Sequence, residues 1–229
     1  MDPFLRTRWL IGTEAVDRLQ QMRVAVFGVG GVGGFCIEAL ARAGVGALDI
    51  VDYDRVDVTN INRQIIATTE TVGALKVDVM KERLASIVPE TEVRIYPIMF
   101  NEATADEINF GDYDYVVDAV DQVTAKLLII RKAQESGVPV ISAMGAGNKL
   151  HPEALTLAML SETNVCPLAR VMRREVKKRG LGDFPVVYST EEPKKVEGLD
   201  ERSPASISFV PSTAGLIAAS KVIRDLVRE

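Results

Sequence analysis

The feature that most constrains this chain is a glycine-rich turn between a strand-like and a helix-like segment. Residues 22–33 read Met-Arg-Val-Ala-Val-Phe-Gly-Val-Gly-Gly-Val-Gly, and Gly-Phe-Cys-Ile-Glu-Ala-Leu-Ala-Arg-Ala follows. A buried strand, a tight turn and a helix N-terminus together form an anion site, because unpaired N–H groups and the helix dipole favour negative charge. The turn therefore predicts nucleotide phosphates at Gly28, Gly30, Gly31 and Gly33.

Strand-like and helix-like segments alternate along the first two thirds of the chain. Strands are predicted at 24–26, 47–51, 92–98, 114–119 and 140–143, and helices at 14–21, 34–43, 71–88 and 122–136. Such alternation is typical of an α/β fold with a Rossmann-like, doubly wound, mainly parallel sheet. Ligands of these sheets bind at the carboxyl ends of the strands, where Gly28, Asp52 and Asp118 fall.

The pattern weakens beyond Gly147 without marking a domain boundary. Residues 154–160 and 186–189 are strand-like, 167–179 and 211–227 are helix-like, and 191–205 are typical of an exposed loop. We therefore predict one domain over 1–229, with substrate-specific elements in a C-terminal part, 148–229.

Composition excludes several classes of protein. No apolar run reaches the ~18–20 residues of a membrane span, and the N-terminal residues lack an apolar signal core. Two cysteines are too few for a disulfide scaffold or a four-cysteine zinc site, so we expect a cytoplasmic protein without zinc. The one histidine, His151, and the lack of a P-loop sequence argue against a histidine-dependent hydrolase and a P-loop NTPase.

Two interpretations of the nucleotide site are possible at the second strand, which ends in Asp52-Tyr53-Asp54. An NAD-binding domain also places a carboxylate about 20 residues after its glycine turn, to hold the ribose. Attack on the α-phosphate of a nucleoside triphosphate needs cations as well, since charge develops on phosphate oxygens. Arg63 and Lys76 are candidates for that role, and Asp121 is a candidate magnesium ligand.

The order of these residues resembles the ThiF/MoeB/HesA superfamily of ATP-adenylating enzymes, relatives of the ubiquitin-activating enzymes. The resemblance covers roughly 6–146 and rests on Asp52-x-Asp54, Asn60-x-x-Arg63-Gln64, Lys76 and Asp118-Ala-Val-Asp121. It implies ATP and magnesium as ligands and a homodimer. By this resemblance Asp52 holds the ribose, Asp121 holds magnesium, and Arg6 reaches into the partner's site. The other nucleotide-binding positions implied are Asp54, Asn60, Arg63, Gln64 and Lys76.

Segments of the C-terminal part are similar to one branch of the superfamily, the tRNA threonylcarbamoyladenosine dehydratases. They are Gly145-Ala-Gly-Asn-Lys-Leu, Cys166-Pro-Leu-Ala-Arg-Val and Val187-Tyr-Ser-Thr-Glu-Glu-Pro. This branch uses ATP to close a ring on the threonylcarbamoyl group of the adenosine beside a tRNA anticodon. The alternative is an enzyme that adenylates the C-terminus of a ubiquitin-like or sulfur-carrier protein. The sequence leaves open a monovalent cation and a sulfur-relay partner.

A strongly basic helix is predicted within this C-terminal part. Residues 170–179 carry a net charge of +5, so the remaining residues of this −5 chain carry −10. At 3.6 residues per turn the cations share one broad face, which is typical either of a solvated surface or of a tRNA contact. The candidate tRNA-binding residues are Arg170, Arg173, Arg174, Lys177 and Lys178.

Overall fold

The computed structural model describes residues 2–195 and 204–228. Within them, seven strands form one sheet: β1 (Arg23–Phe27), β2 (Ala47–Val51), β3 (Glu92–Tyr96), β4 (Tyr115–Asp118), β5 (Val140–Ala143), β6 (Leu155–Met159) and β7 (Pro185–Ser189). The α-helices of the same residues are α1 (Leu5–Ile11), α2 (Thr13–Leu19), α3 (Gly33–Ala43), α4 (Lys76–Ile87), α5 (Val123–Glu135), α6 (Pro167–Lys178) and α7 (Phe209–Leu226). None of these helices combines the length and the apolar character needed to cross a membrane.

The sheet has the strand order β3-β2-β1-β4-β5-β7-β6. All neighbouring pairs are parallel except β6 and β7, which pair antiparallel at one edge. The chain moves outward from β1 in one direction and from β4 in the other, so the switch point of a doubly wound sheet lies between these two strands. The predicted fold class is confirmed, and β6 and β7 extend the same sheet.

Helices cover both faces of the sheet, and alternate side chains of β1 pack against the helices of opposite faces. Val24 and Val26 join a hydrophobic cluster with residues of α3, α4 and α7. Ala25 and Phe27 point to the other face and join a second cluster with residues of α5 and α6. All four side chains are fully buried, as an apolar strand covered on both faces requires.

Several element boundaries differ from the sequence prediction. The helix expected over 71–88 begins at Lys76, because Gly73 adopts φ +90° in a turn and Leu75 pairs with Arg55. The third strand ends at Tyr96, where Pro97 supplies no N–H for the ladder. Residues 191–195 form neither helix nor strand, as predicted, and the rest of the expected loop to 203 lies outside the described residues.

The N-terminal residues form a helix, α1, which was not among the predicted helices. Asp2 accepts a hydrogen bond from the Phe4 amide, and Arg8 pairs with Asp2 at 2.7 Å and with Asp17 at 2.5 Å. Phe4 is buried beside Gly44. Since Gly44 lies in the short turn between α3 and β2, α1 lies at the amino edge of the sheet.

Candidate nucleotide site

The glycine turn after β1 has the close packing that its sequence predicted. Gly28 adopts φ +96°, and a Cβ atom there would lie 2.7 Å from the Ala119 carbonyl oxygen. A Cβ on Gly33 would lie 1.8 Å from the Gly28 carbonyl oxygen. Both positions therefore exclude any side chain. Together they bring the turn against the loop that follows β4.

Gly30 lies at the open side of the turn. A Cβ atom at this position would meet nothing within 4 Å. In the described part of the chain, the backbone N–H groups of Gly30 and Gly31 donate no hydrogen bond, and the N-terminus of α3 follows at Gly33. The turn therefore offers open space, unpaired donors and the positive end of a helix dipole, which together fit a phosphate group.

Asp52 connects the second strand to this turn. One carboxylate oxygen accepts a hydrogen bond from the Val29 amide at 2.6 Å, and the other accepts from the Asp54 amide at 2.8 Å. The side chain is only half-buried. Asp52 thus fixes the turn and keeps an accessible edge, as a residue that holds ribose hydroxyls must.

Lys76 is the first residue of α4 and is 6% exposed, so it is not a solvated surface lysine. Its ammonium group bonds the Asp54 carboxylate at 2.8 Å, and its amide donates to the Asp54 carbonyl oxygen. A buried lysine held by one carboxylate is a fixed cation. The two residues are placed together, next to Asp52.

The segment 57–64 carries the other predicted phosphate ligands. The Asn60 side-chain oxygen accepts from the Asp57 amide and so closes a short helical turn. Arg63 is half-buried, and one guanidinium nitrogen donates to the Thr59 carbonyl oxygen at 2.8 Å and to Asn62 at 2.9 Å. Gln64 is buried, and its side-chain oxygen has no hydrogen-bond partner among the described residues.

Asp121 is exposed in the loop between β4 and α5. Asp121 lies near the end of β2, because its charge acts on Tyr53, the second residue after that strand. Partial burial raises the pKa of the Tyr53 phenol, and so do three surrounding carboxylates, those of Asp54, Asp121 and Asp52. Four acidic and phenolic groups from two loops therefore lie close together at the carboxyl edge of the sheet.

A buried polar network beneath this loop was not predicted from the sequence. Asp118 ends β4, and its carboxylate accepts from Lys126 of α5 at 3.0 Å and from the Ser142 hydroxyl of β5. Lys126 is fully buried and also donates to the Ala143 carbonyl oxygen at 2.7 Å. The sequence signal was available, because Lys126 shares a helix face with Ile129, Ile130 and Ala133. The network fixes the loop that carries Asp121.

The residues at this site fit magnesium, which needs only one or two protein ligands, better than a metal ion whose ligands are all protein side chains. Across 2–195 and 204–228, no three histidine, cysteine or acidic side chains are grouped to hold a metal ion. Magnesium is commonly held by one or two carboxylates together with substrate phosphates. The exposed Asp121 beside an open phosphate site fits that mode.

Arg6 is not brought to this site within its own chain. It is exposed on α1, at the amino edge of the sheet, whereas the glycine turn and Asp121 lie at the carboxyl edge. The same helix exposes three large apolar side chains: Leu5 (45%), Trp9 (74%) and Leu10 (84%).

The predicted basic helix corresponds to α6. Met172 and Val176 are buried, and Leu168 packs against the same cluster. Four of the five candidate cations are exposed: Arg170, Arg174, Lys177 and Lys178. Arg173 differs, because its half-buried guanidinium donates to the Thr163 carbonyl oxygen at 2.7 Å and to the Thr163 hydroxyl. It anchors the preceding loop and is not a free surface cation.

Comparison with known proteins agrees with this geometry. The family model described as the ThiF family matches residues 5–228. The chain belongs to the ThiF family. A relative from Bacillus subtilis (strain 168), a tRNA threonylcarbamoyladenosine dehydratase, is 42% identical over 99% of this chain and 95% of its own length.

Two further relatives extend the agreement. The tRNA threonylcarbamoyladenosine dehydratase of Haemophilus influenzae is 34% identical over 94% of this chain and 90% of that protein. The crystal structure of the E. coli enzyme in complex with ATP superposes with a TM-score of 0.89 at 31% identity, covering 98% of this chain and 93% of that one. The similarity therefore includes the C-terminal part as well as the nucleotide site.

Proposed function

We propose that this protein is an ATP-dependent tRNA threonylcarbamoyladenosine dehydratase. The observation that carries the proposal is the extent of the similarity: it runs through β6, α6, β7 and α7 as well as through the glycine turn. An activator of a ubiquitin-like or sulfur-carrier protein would share the nucleotide site. The C-terminal part, 148–229, is where we place the elements specific for tRNA.

In the first step the threonyl carboxylate attacks the α-phosphorus of the substrate ATP and pyrophosphate leaves. The glycine turn and the N-terminus of α3 bind phosphate oxygens, and Asp52 holds the ribose. Arg63, Lys76 and Asn60 meet the charge that develops on the phosphates. The fixed Lys76–Asp54 pair, at 2.8 Å, keeps the lysine oriented before substrate binds.

Asp121 is the residue that we assign to magnesium. When bound there, magnesium would supply positive charge against the phosphate oxygens and would help to orient the triphosphate. The role of the protein is to hold this carboxylate still, and the buried Asp118–Lys126–Ser142 network beneath the loop does so.

In the second step the carbamoyl group attacks the activated carbonyl carbon, AMP leaves, and the net change is loss of one water. Both groups belong to one substituent, so the ring closes intramolecularly and needs no enzyme nucleophile. Cys166 fits this scheme, because it is buried at the start of α6 and only 2% exposed. The scheme requires neither a monovalent cation nor a sulfur-relay protein, and a tRNA substrate agrees with the expected cytoplasmic location.

The function is tested by measuring whether pyrophosphate release from ATP depends on the second substrate. We expect release from ATP only with tRNA that carries threonylcarbamoyladenosine, together with a nucleoside product lighter by one water in mass spectrometry. Unmodified tRNA of the same sequence is the matched control. Release that depends instead on a small protein ending in Gly-Gly would assign the chain to the protein-activating alternative.

A homodimer is proposed from α1. Leu5, Trp9 and Leu10 expose apolar surface on the helix that carries Arg6, and exposed apolar patches mark interfaces. Arg6 lies at the edge of the sheet opposite to its own nucleotide site. A role for Arg6 in catalysis therefore requires a second copy, whose nucleotide site it enters.

Mixing two inactive variants tests this arrangement. Arg6→Ala and Asp121→Ala homodimers should each be inactive, whereas subunit exchange should restore about a quarter of wild-type activity. That value follows because half of the randomly formed dimers are mixed, and each contains one intact site. Pyrophosphate release after refolding the mixture measures it. No recovery, with mixed dimers demonstrated by differently tagged chains, would place Arg6 outside the partner's site.

A further inference from the structure

A second buried lysine lies at the carboxyl edge of the sheet and has no part in the scheme above. Lys149 follows β5 and is 3% exposed. Its amine donates one hydrogen bond, a long one of 3.4 Å, to the carbonyl oxygen of Ser189 at the end of β7. Within the described residues it forms no salt bridge. An ammonium group has three donors, so this burial leaves it poorly satisfied.

Glu191, two residues after Ser189, is the nearest acidic residue in sequence, and its carboxylate already has hydrogen-bond partners. Glu191 accepts hydrogen bonds from the Leu150 and His151 amides at 2.9–3.1 Å. It therefore anchors the backbone next to Lys149. The titratable groups that act on the amine are Cys166, at the start of α6, and Glu191.

The surroundings of the Lys149 amine make it easier to deprotonate than an exposed lysine. Burial lowers the pKa of Lys149, and the nearby Cys166 and Glu191 offset this only in part. The residues directly before Lys149 and Cys166 both adopt left-handed backbone conformations. Asn148 has φ +60°, and Val165, a β-branched residue directly before Cys166, has φ +55°. Such conformations persist where the surrounding structure holds a functional group in place.

We propose that the Lys149 amine is the base for ring closure. The inference rests on the proposed function. When the carbamoyl group attacks, a bond forms to the activated carbonyl carbon and the carbon–oxygen bond to AMP breaks. AMP leaves with that electron pair, and one proton must leave the carbamoyl nitrogen. Lys149 accepts this proton on its lone pair and later returns it to solvent.

Four other candidate bases near this edge already have partners, and Asp121 is assigned to magnesium. Asp52 accepts two backbone amides, and Asp118 is bonded to Lys126. Asp54 is paired with Lys76. The histidine, His151, is exposed and bonds Glu153. The first step, by contrast, starts from an ionised carboxylate and needs no base, so loss of Lys149 affects only the second step.

The experiment separates the two steps in the full-length enzyme. Lys149→Met removes the amine, and Lys149→Arg keeps a cation that stays protonated. With ATP and threonylcarbamoyladenosine-containing tRNA, both variants should keep ATP–pyrophosphate exchange within about threefold of wild type. Formation of the ring should fall about 100-fold or more, the usual contribution of a general base. Hydroxylamine should then trap the accumulated acyl adenylate as a hydroxamate.

The control is Lys81→Met, which removes an exposed lysine of α4 and should change neither step. Equal loss of exchange and ring formation in both Lys149 variants, or loss of neither, would overturn the proposal. If wild type shows no tRNA-dependent exchange, the proposed function itself fails, and the two failures are thus distinguishable.

Should neither Lys149 variant fold, the pH profile decides. In single turnovers the rate of ring closure should rise with pH through one ionisation, as Lys149 loses its proton. Glu191 raises the pKa of Lys149, so Glu191→Gln should move this rise to lower pH. A rise that stays in place in Glu191→Gln would assign the ionisation to another group and overturn the proposal.

Discussion

Replacing Asp121 with alanine is expected to reduce pyrophosphate release by at least about 100-fold while the fold is retained. The size follows from loss of a metal ligand that stabilises charge in the transition state. The side chain is exposed in the loop after β4, so the free energy of unfolding should change by no more than about 0.5 kcal/mol. Pyrophosphate release with saturating tRNA and thermal melting measure the two quantities.

Asp106→Ala is the matched control, because it removes an exposed carboxylate whose one ion pair, with Lys132 at 3.1 Å, is at the surface. It should leave activity unchanged. Retention of most activity in Asp121→Ala would identify another metal ligand, and Asp54 is the nearest alternative. The Asp54→Ala variant would then lose activity, and its melting temperature would report the loss of the Lys76 pair as well.

The glycine turn and the central strands could be predicted because their information is local. Val24–Phe27 are apolar throughout, and four glycines in six residues have few uses other than a tight turn before a helix. The carboxyl ends of parallel strands meet at one edge, so the order of the strands is enough to place Asp52 near the Asp118–Asp121 loop. The pairing of β1 with β2 on one side and with β4 on the other confirms that placement.

The parts that were not predicted depend on side-chain contacts that no single local pattern shows. A lysine within a helix is usually exposed, yet Lys126 is fully buried because Asp118 and Ser142, from two strands, supply its partners. Seven-residue helices such as α1 are marginal in isolation. This one forms because Arg8 pairs with both Asp2 and Asp17 and because Phe4 is buried.

The contacts of Arg173 decide which cations of the basic helix should be substituted in a test of tRNA binding. Spacing alone groups Arg173 with its neighbours, but its bonds to Thr163 make it a structural residue. Substituting it would disturb the loop before α6 and confuse a fold defect with a binding defect. The informative set is therefore the four exposed cations: Arg170, Arg174, Lys177 and Lys178.

Reversing these four charges to glutamate is expected to weaken tRNA binding on the order of 100-fold and to leave ATP binding unchanged. Each contact between a cation and a phosphate releases counterions, so wild-type affinity should fall steeply with salt. The variant should show a flatter dependence, with a slope smaller by up to about three units. Titration of tRNA at several salt concentrations measures both effects, and the melting shift with ATP verifies the nucleotide site.

The control reverses four exposed cations that lie outside α6, Lys81, Arg94, Arg224 and Arg228, and gives the same total charge. General repulsion between an acidic protein and a polyanion would weaken tRNA binding equally in both variants. A local contact at α6 would affect only the first. Because the chain outside 170–179 carries −10, local compensation at α6 is the physical requirement for holding tRNA. Equal affinities in the two variants would therefore place the tRNA site elsewhere on the surface, with α6 a solvated face.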